Sequence, residues 1–222
     1  MVESVNVIGS GRVGAAVAAR LRERGVDLSS DYPELVLLCV PDSAIPAVAA
    51  AVVPGPWVAH VSGGTPLAAL APHERRFSVH PLQTFTHSRG PEQLDGAWAA
   101  VSGETAEART VGMSLAELLG LRPFELDDSA RTLYHAGAVF ASNYLVTLQP
   151  AASLLFEAAG APPAAFEPLM RRTIENGFEL TGPLARGDWG TVSAHRAAIQ
   201  RELPTLDHLY ETLAGATLAL AT

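Results

Sequence analysis

The stretch that decides the fold is Ser4–Gly25, "SVNVIGSGRVGAAVAARLRERG". Its opening, "SVNVIG" (4–9), is a short β-branched run that ends in glycine, as a strand entering a turn does. "RVGAAVAARLRERG" (12–25) then has helical spacing, with Val13, Val17 and Leu21 on one stripe and Gly25 as the stop. Between them, Gly9-Ser10-Gly11-Arg12-Val13-Gly14 matches G-x-G-x-x-G in the strand-to-helix setting that gives the pattern a mechanism. Gly9 permits the tight turn, Gly11 leaves room for a pyrophosphate against the helix N-terminus, and Gly14 lets the helix pack closely on the sheet. A plain strand-to-helix turn in another kind of α/β protein is the alternative, and the setting favours dinucleotide binding.

The alternation continues downstream. "ELVLLCV" (34–40) is a continuous apolar run closed by Pro41, as expected of a strand covered on both faces. "SAIPAVAAAV" (43–52) suggests a short helix, "WVAHVSG" (57–63) a strand, and "RFSVH" (76–80) a further short strand. "AWAAVSG" (97–103) reads as a strand, 104–120 as a helix with Glu early, and "LRPFELD" (121–127) as the last strand. Strands alternating with short helices predict a parallel α/β sheet. After Asp128 the texture changes. "SARTLYHAGAVFASNYLVTLQPAASLLFEAAG" (129–160) is one long helical pattern, kinked at Pro150 and ended by Gly160. Three more helical segments follow, with no strand signal from Ser129 onward. The expected organisation is a dinucleotide-binding α/β domain over 1–128, its second-strand region shortened, and an all-helical domain over 129–222.

Composition sets the outer limits. The 222 residues are 48% hydrophobic and 17% charged, enough to bury a sizeable core. The net charge is -8 and the fifteen Lys and Arg form no basic run, which argues against nucleic acid or an anionic membrane as the main partner. The single cysteine, Cys39, lies in an apolar run and reads as a buried core thiol, so no disulfide framework or Cys-rich metal site is expected. His60, His80, His87 and His135 form no H-x-x-x-H or H-E-x-x-H pair, and no metal is expected. There is no basic-then-apolar N-terminal segment and no run of about 18 uninterrupted apolar residues, from which a cytoplasmic location is expected.

The grip on the adenosine end is harder to place. An acidic residue roughly 20 positions beyond the glycines should meet the ribose hydroxyls. Asp27 and Asp31 fall near that distance, yet "GVDLSSDY" (25–32) does not read as a strand ending in aspartate. With "VDL" as the stub of a strand, Ser29 and Ser30 occupy its end, where small hydroxyls suit a 2′-phosphate better than a carboxylate does. Arg12 is either a further contact to that phosphate or a solvated first-turn arginine. The expected cofactor is NADP in preference to NAD.

Ligands of such folds bind beyond the carboxyl ends of the strands, where three polar clusters fall. Pro41-Asp42-Ser43 ends one strand and would border the nicotinamide ribose, and the alternative, an ordinary turn with Asp42 or Ser43 capping the next helix, is favoured for Ser43. Ser62-Gly63-Gly64-Thr65 offers hydroxyl and N–H donors to a carbonyl or carboxylate oxygen, and a glycine-rich turn explains it almost as well. In "HPLQTFTH" (80–87), His80 ends a strand, Pro81 fixes the exit, and Gln83, Thr84 and His87 follow in a loop. Hydride transfer to a carbonyl or imine needs a proton for the developing anion, and histidine suits that near neutral pH. A histidine bonded to backbone at a strand end is the alternative. On the long helix, His135, Ser142 and Asn143 share nearly one face, two turns apart. In "TGPLARGDW" (181–189), Arg186 is a clamp for a substrate carboxylate or a member of an interhelical or dimer ion pair, and Asp188 is a helix cap or its partner.

With these residues in place, the sequence resembles the Rossmann-like proteins that carry domain of unknown function 2520. These are described as oxidoreductases related to pyrroline-5-carboxylate reductase, prephenate dehydrogenase, ketopantoate reductase and deazaflavin-dependent NADP reductases. The matching segments are "GSGRVG", "LLCVPDSAI", "HVSGGTP", "SVHPLQTFT", "LYHAGAVFASNYLVTL" and "TGPLARGDWGTVSAH", in family order across nearly the whole chain. The resemblance implies a Rossmann-like domain followed by a helical domain similar to those of 6-phosphogluconate dehydrogenase relatives, often dimeric. Prephenate dehydrogenases have a similar His-Pro step at the substrate site, which implies a site role for His80. The related reductases present polar residues from the first long helix, which implies a substrate role for Asn143 and an assisting one for His135. The family usually has a full second strand, a helix and a further segment before "VPD", and most of that is absent here.

The expected activity is NAD(P)-dependent hydride transfer to or from a small carboxylate-bearing keto or imino substrate. His80, Asn143 and Ser62 are the catalytic candidates. Gln83, Thr84, His135 and Arg186 are the substrate ligands, and the cofactor lies on 9–14, Ser29, Ser30 and 40–42. A small molecule and a second copy of the chain, docked through the helical domain, are the expected partners. A non-catalytic relative that senses a nucleotide or serves as a dimeric scaffold is the alternative.

Overall fold

All six expected strands form. In the computed structural model, which describes residues 2–220, β1 (Val5–Ile8), β2 (Leu35–Leu38), β3 (Trp57–His60), β4 (Arg76–Pro81), β5 (Trp98–Gly103) and β6 (Arg122–Glu125) make one sheet in chain order. Neighbours from β1 to β4 are parallel, as are β5 and β6. Only β5 runs against its neighbour β4, with Val79 opposite Val101 and His80 opposite Ala100. The reversal follows from the connection 82–97, which has no crossover helix and so returns the chain from the end at which β4 leaves the sheet.

Helices α1 (Arg12–Glu23), α2 (Ile45–Ala51) and α3 (Ala106–Leu118) cover the two faces. Leu35 and Leu37 pack with Val17 and Leu21 of α1 and Leu115 of α3. Val36 and Leu38 pack on the other side with Ile45 and Ala49 of α2 and with Leu67 and Leu70. Every residue of β2 is buried, which explains its unbroken apolar run. Burial of each such leucine is worth about 1.5–3 kcal/mol, so this short strand anchors both layers. The predicted α1 stripe holds, with Val17 and Leu21 fully buried and Gly25 in the left-handed region at φ +77°.

β1 is the edge of the sheet. Its outer side carries an isolated parallel bridge from Ser4 to Asp27, with Val5 N donating to Asp27 O at 2.9 Å and Asp27 N to Glu3 O at 3.0 Å. The expected strand stub is therefore a single bridge, and it lies at the start of β1. The glycine loop leaves the other end, a rise of roughly 16 Å along the strand.

The chain divides into two compact units between Ser142 and Asn143. The change of texture near 128 does not coincide with that division, because α4 (Arg131–Ala141) stays with the sheet through its buried Arg131. The long helical pattern is interrupted at Ser142 (φ −127°, ψ −64°), and Pro150 lies inside α5 (Asn143–Ala158). The second unit continues with α6 (Glu167–Glu175), α7 (Trp189–Glu202) and α8 (Asp207–Leu220). Within it Phe156 meets Phe166 edge-on at 5.7 Å, and Arg196 bonds Asp207 at 2.8 Å and Glu211 at 2.6 Å. By length and composition alone, the run Asp128–Ala158 is apolar enough to cross a membrane, a test that helices of soluble proteins also pass.

Candidate functional site

The glycine loop separates into glycines the fold needs and one it does not. A Cβ at Gly9 (φ +117°) would collide with the Cys39 carbonyl, and one at Gly14 with the Gly9 carbonyl. A Cβ at Gly11 would meet nothing within 4 Å, and its φ −68°, ψ −175° suits any residue. Gly11 is also the N-cap of α1, with no capping side chain and no acidic residue in the first turn. The first amides of the helix therefore have no capping side chain, and their positive end has no acidic residue in the first turn beside it.

The turn after β3 is built around Ser62. Its hydroxyl donates to Asp42 Oδ2 at 2.8 Å, accepts from Thr65 N at 3.0 Å and Gly64 N at 3.3 Å, and lies 2.9 Å from the Thr65 hydroxyl. One donor and two acceptor sites are all a hydroxyl has, so Ser62 is fully used within the turn. Asp42 takes this bond and makes no side-chain cap on the next helix.

Behind the turn lies Arg131, 1% exposed and absent from the sequence candidates. Its Nε donates to Thr65 O at 2.8 Å, its Nη2 to Ser62 O at 3.1 Å and to the Ser78 hydroxyl, and Asp128 lies 3.4 Å away. Burial lowers its pKa, with Asp128, Tyr134 and Asp42 opposing. The available signal is spacing, since Arg131, Tyr134 and His135 share one helix face.

His80, at the end of β4, meets α4 through its Nδ1, 2.9 Å from the Tyr134 hydroxyl. Its ring stands perpendicular to that of His135, with centroids 6.0 Å apart. A Cβ on Gly63 would lie 2.8 Å from His80 Nε2 and 2.8 Å from His135 Cδ2, so glycine is what admits both imidazoles. Burial, then His135 and Arg131, push His80 down to about 4, with Asp42 opposing. His60, fully buried on β3, is pushed down to about 3 by burial, Arg131 and His80. Ser62 N donates to His60 Nδ1 at 3.2 Å, while His60 Nε2 has no hydrogen-bond partner among the described residues.

Val13, Asp42, Ser62, Gly63, His80 and His135 line one cavity of about 230 Å³, which Cys39, Val40 and Val61 complete. A larger hollow of about 510 Å³ opens at the opposite end of the strands, beside Pro33, Trp57 and Arg75. The smaller one matters here because it joins the glycine loop to the histidines at the carboxyl ends of the strands.

Gln83, Thr84, Ser29 and Ser30 are not among the residues that line this cavity. Gln83 and Thr84 are exposed, with Thr84 N donating to Gln83 Oε1 at 2.8 Å. Ser29 and Ser30 sit in a loop tied at both ends to Ser4, by the Asp27 bridge and by Glu34 N donating to Ser4 O at 3.2 Å. The Asp27 carboxylate accepts from Ser29 N at 2.8 Å and from its hydroxyl at 2.7 Å, which lowers its pKa. Asn143 and Arg186 are exposed in the second unit, where Asp188 caps α7 by accepting from Thr191 N at 3.1 Å. Among the described residues, no three His, Cys, Asp or Glu side chains group as metal ligands.

The search of curated proteins returned no match. Among solved structures, BF3122 of Bacteroides fragilis, a candidate NADP oxidoreductase, is similar at 20% identity and TM-score 0.82, with 98% of each chain covered. A reductive aminase from Aspergillus terreus, in complex with NADPH and ethyl levulinate, is similar at 18% identity and TM-score 0.68, covering 98% of this chain and 93% of its own. The 1-pyrroline-5-carboxylate reductase of Streptococcus pyogenes is similar at 16% identity and TM-score 0.61, over 98% and 97%. These likenesses bear out the Rossmann-like fold. Residues 97–217 match the model of the domain of unknown function DUF2520, more than half of the chain, which therefore belongs to the DUF2520 family.

Proposed function

We propose that the protein is an NAD(P)-dependent oxidoreductase acting on the carbonyl or imine carbon of a small carboxylate-bearing substrate. Gly11 carries the reading. Packing explains Gly9 and Gly14, whereas Gly11 leaves space in front of an uncapped helix N-terminus, which fits a pyrophosphate. Ser10, Arg12 and Val13 complete that cradle, and 40–42 border its far side. Arg12 supports NADPH over NADH by its charge, while Ser29 and Ser30, tied to the other end of β1, lend that preference little. When bound, the nicotinamide supplies or accepts the hydride.

The chain's own part is to orient the substrate and supply a proton. His80 is neutral at pH 7 and lines the cavity, where it donates to the reacting oxygen or nitrogen. His135 packs against it. Ser62, saturated in its turn, holds Asp42 and the backbone beside that atom. Asn143 and Arg186 of the second unit carry an amide and a guanidinium whose chemistry suits a carboxylate, and Gln83 and Thr84 are the further polar candidates of the first unit. The reductive aminase and the pyrroline-5-carboxylate reductase support a keto or imino substrate by analogy only.

The second unit exposes Val146, Leu169, Ile174, Phe178 and Trp189 in the single chain, and a homodimer through the helices would cover them. Light scattering at micromolar concentration tests this, with a dimer expected. A non-catalytic nucleotide sensor is the second reading, favoured by the edge position of β1 and its single-bridge stub. Turnover of NADPH with a panel of small 2-oxo acids and cyclic imino acids separates the two. Turnover that falls in His80→Ala supports the enzyme, and tight NADPH binding with no turnover on any substrate supports the sensor.

A further inference from the structure

His80 has two nitrogens, and the surroundings make them unequal. Nδ1 lies 2.9 Å from the Tyr134 hydroxyl, and the two rings meet edge-on at 5.5 Å and 85°. Nε2 faces Gly63, since a Cβ there would come within 2.8 Å of it, and both residues line the cavity. A neutral imidazole donates from one nitrogen and accepts at the other, so whichever role Tyr134 imposes on Nδ1 leaves the opposite role to Nε2.

The chemistry of the pair decides which. A phenol hydroxyl is a stronger donor than an imidazole N–H, and an imidazole nitrogen a stronger acceptor than a phenol oxygen. Burial pushes Tyr134 up to about 12, so its proton is in place to be donated. The charged and titratable groups that face His80 are His135, Arg131 and Tyr134 of α4, Asp42 after β2, and His60 of β3. Of these Asp42 alone favours a charged imidazolium, and it is outweighed by burial, His135 and Arg131.

We propose that Tyr134 is a positioning residue that fixes His80 as the Nε2–H tautomer, so that Nε2 presents a hydrogen-bond donor to the reacting oxygen or nitrogen beside Gly63. The inference rests on the reading of His80 given above. It adds the residue that decides which way the imidazole donates. Tyr134 itself does not touch the substrate.

The test is long-range proton–nitrogen NMR on ¹⁵N-histidine-labelled protein at neutral pH, without cofactor or substrate. The His80 signals are assigned by their loss in His80→Asn. The wild type is expected to show protonated Nε2 and bare Nδ1. Tyr134→Phe is expected to raise the Nδ1–H share several-fold and to leave the thermal unfolding midpoint nearly unchanged, because only a hydroxyl is removed. Protonated Nδ1 in the wild type would overturn the proposal, as would an identical tautomer population in Tyr134→Phe. Failure of the oxidoreductase reading is distinguishable, because it shows as absent NADPH binding or as turnover indifferent to His80→Ala, and neither alters the tautomer.

Discussion

Arg131 Nη2 donates to the Ser62 carbonyl across 3.1 Å, tying the first turn of α4 to the turn that ends β3. The same guanidinium bonds Thr65 O at 2.8 Å and the Ser78 hydroxyl, so one side chain supports the backbone on which the candidate site stands. Arg131→Met keeps much of the volume but strands these buried acceptors, while Asp128 loses its ion pair and keeps the bond from Leu67 N. The expected loss is about 2–4 kcal/mol, since each buried acceptor left without its donor costs roughly 1–3 kcal/mol. Urea denaturation measures it, and a loss below about 1 kcal/mol, the range of an exposed pair, would refute the supporting role.

Gly63 is where a single methyl group should separate stability from chemistry. An alanine Cβ there would lie 2.8 Å from atoms of both His80 and His135, which are side chains that can shift. Gly63→Ala should fold with a small loss of stability, displace His80 from Tyr134, and lower turnover at least about tenfold, or ~1.4 kcal/mol of barrier. Steady-state kinetics beside circular dichroism checks this. Wild-type turnover in a folded variant would remove His80 from the mechanism.

Acid should weaken the fold through the two depressed histidines. His60 is lowered from 6.5 to about 3 and His80 from 6.5 to about 4. Below pH 6.5 the unfolded chain takes up protons that the folded chain refuses. Stability is therefore full above 6.5 and falls as pH drops towards 3–4, by on the order of a few kcal/mol for fully buried His60. Urea midpoints across that window should fall less steeply in His60→Asn than in the wild type. Parallel curves would show that His60 is not held neutral.

How much could be read in advance depended on how local the cause was. The six strands, the α1 stripe and the roles of Gly9 and Gly14 follow from neighbouring residues, and all appear. The antiparallel β5 depended on what the connection 82–97 lacks, and the break at Ser142 competed with the stronger visual cue of Pro150. His80 was legible because a strand end, a proline and a polar loop coincide there. Arg131 was not, because its acceptors Ser62, Thr65 and Ser78 are distant in sequence and an arginine at a helix start ordinarily reads as solvated. The adenosine side was legible as a deficit, with "VDL" reduced to the Ser4–Asp27 bridge. What the sequence could not convey is that this bridge lies at the start of β1, the end opposite to the glycine loop.

The central claim is that the space left by Gly11 belongs to a dinucleotide, and Gly11→Asp tests it most directly. Aspartate is a favoured N-cap at an ordinary extended backbone conformation, so the variant should be as stable as the wild type or slightly more so. Its carboxylate would occupy and repel the pyrophosphate position. Calorimetric titration with NADPH and NADH should show micromolar binding to the wild type and a loss of at least about tenfold, ~1.4 kcal/mol, in the variant. No binding of either nucleotide to the wild type at millimolar concentration, or equal binding to both proteins, would contradict the account.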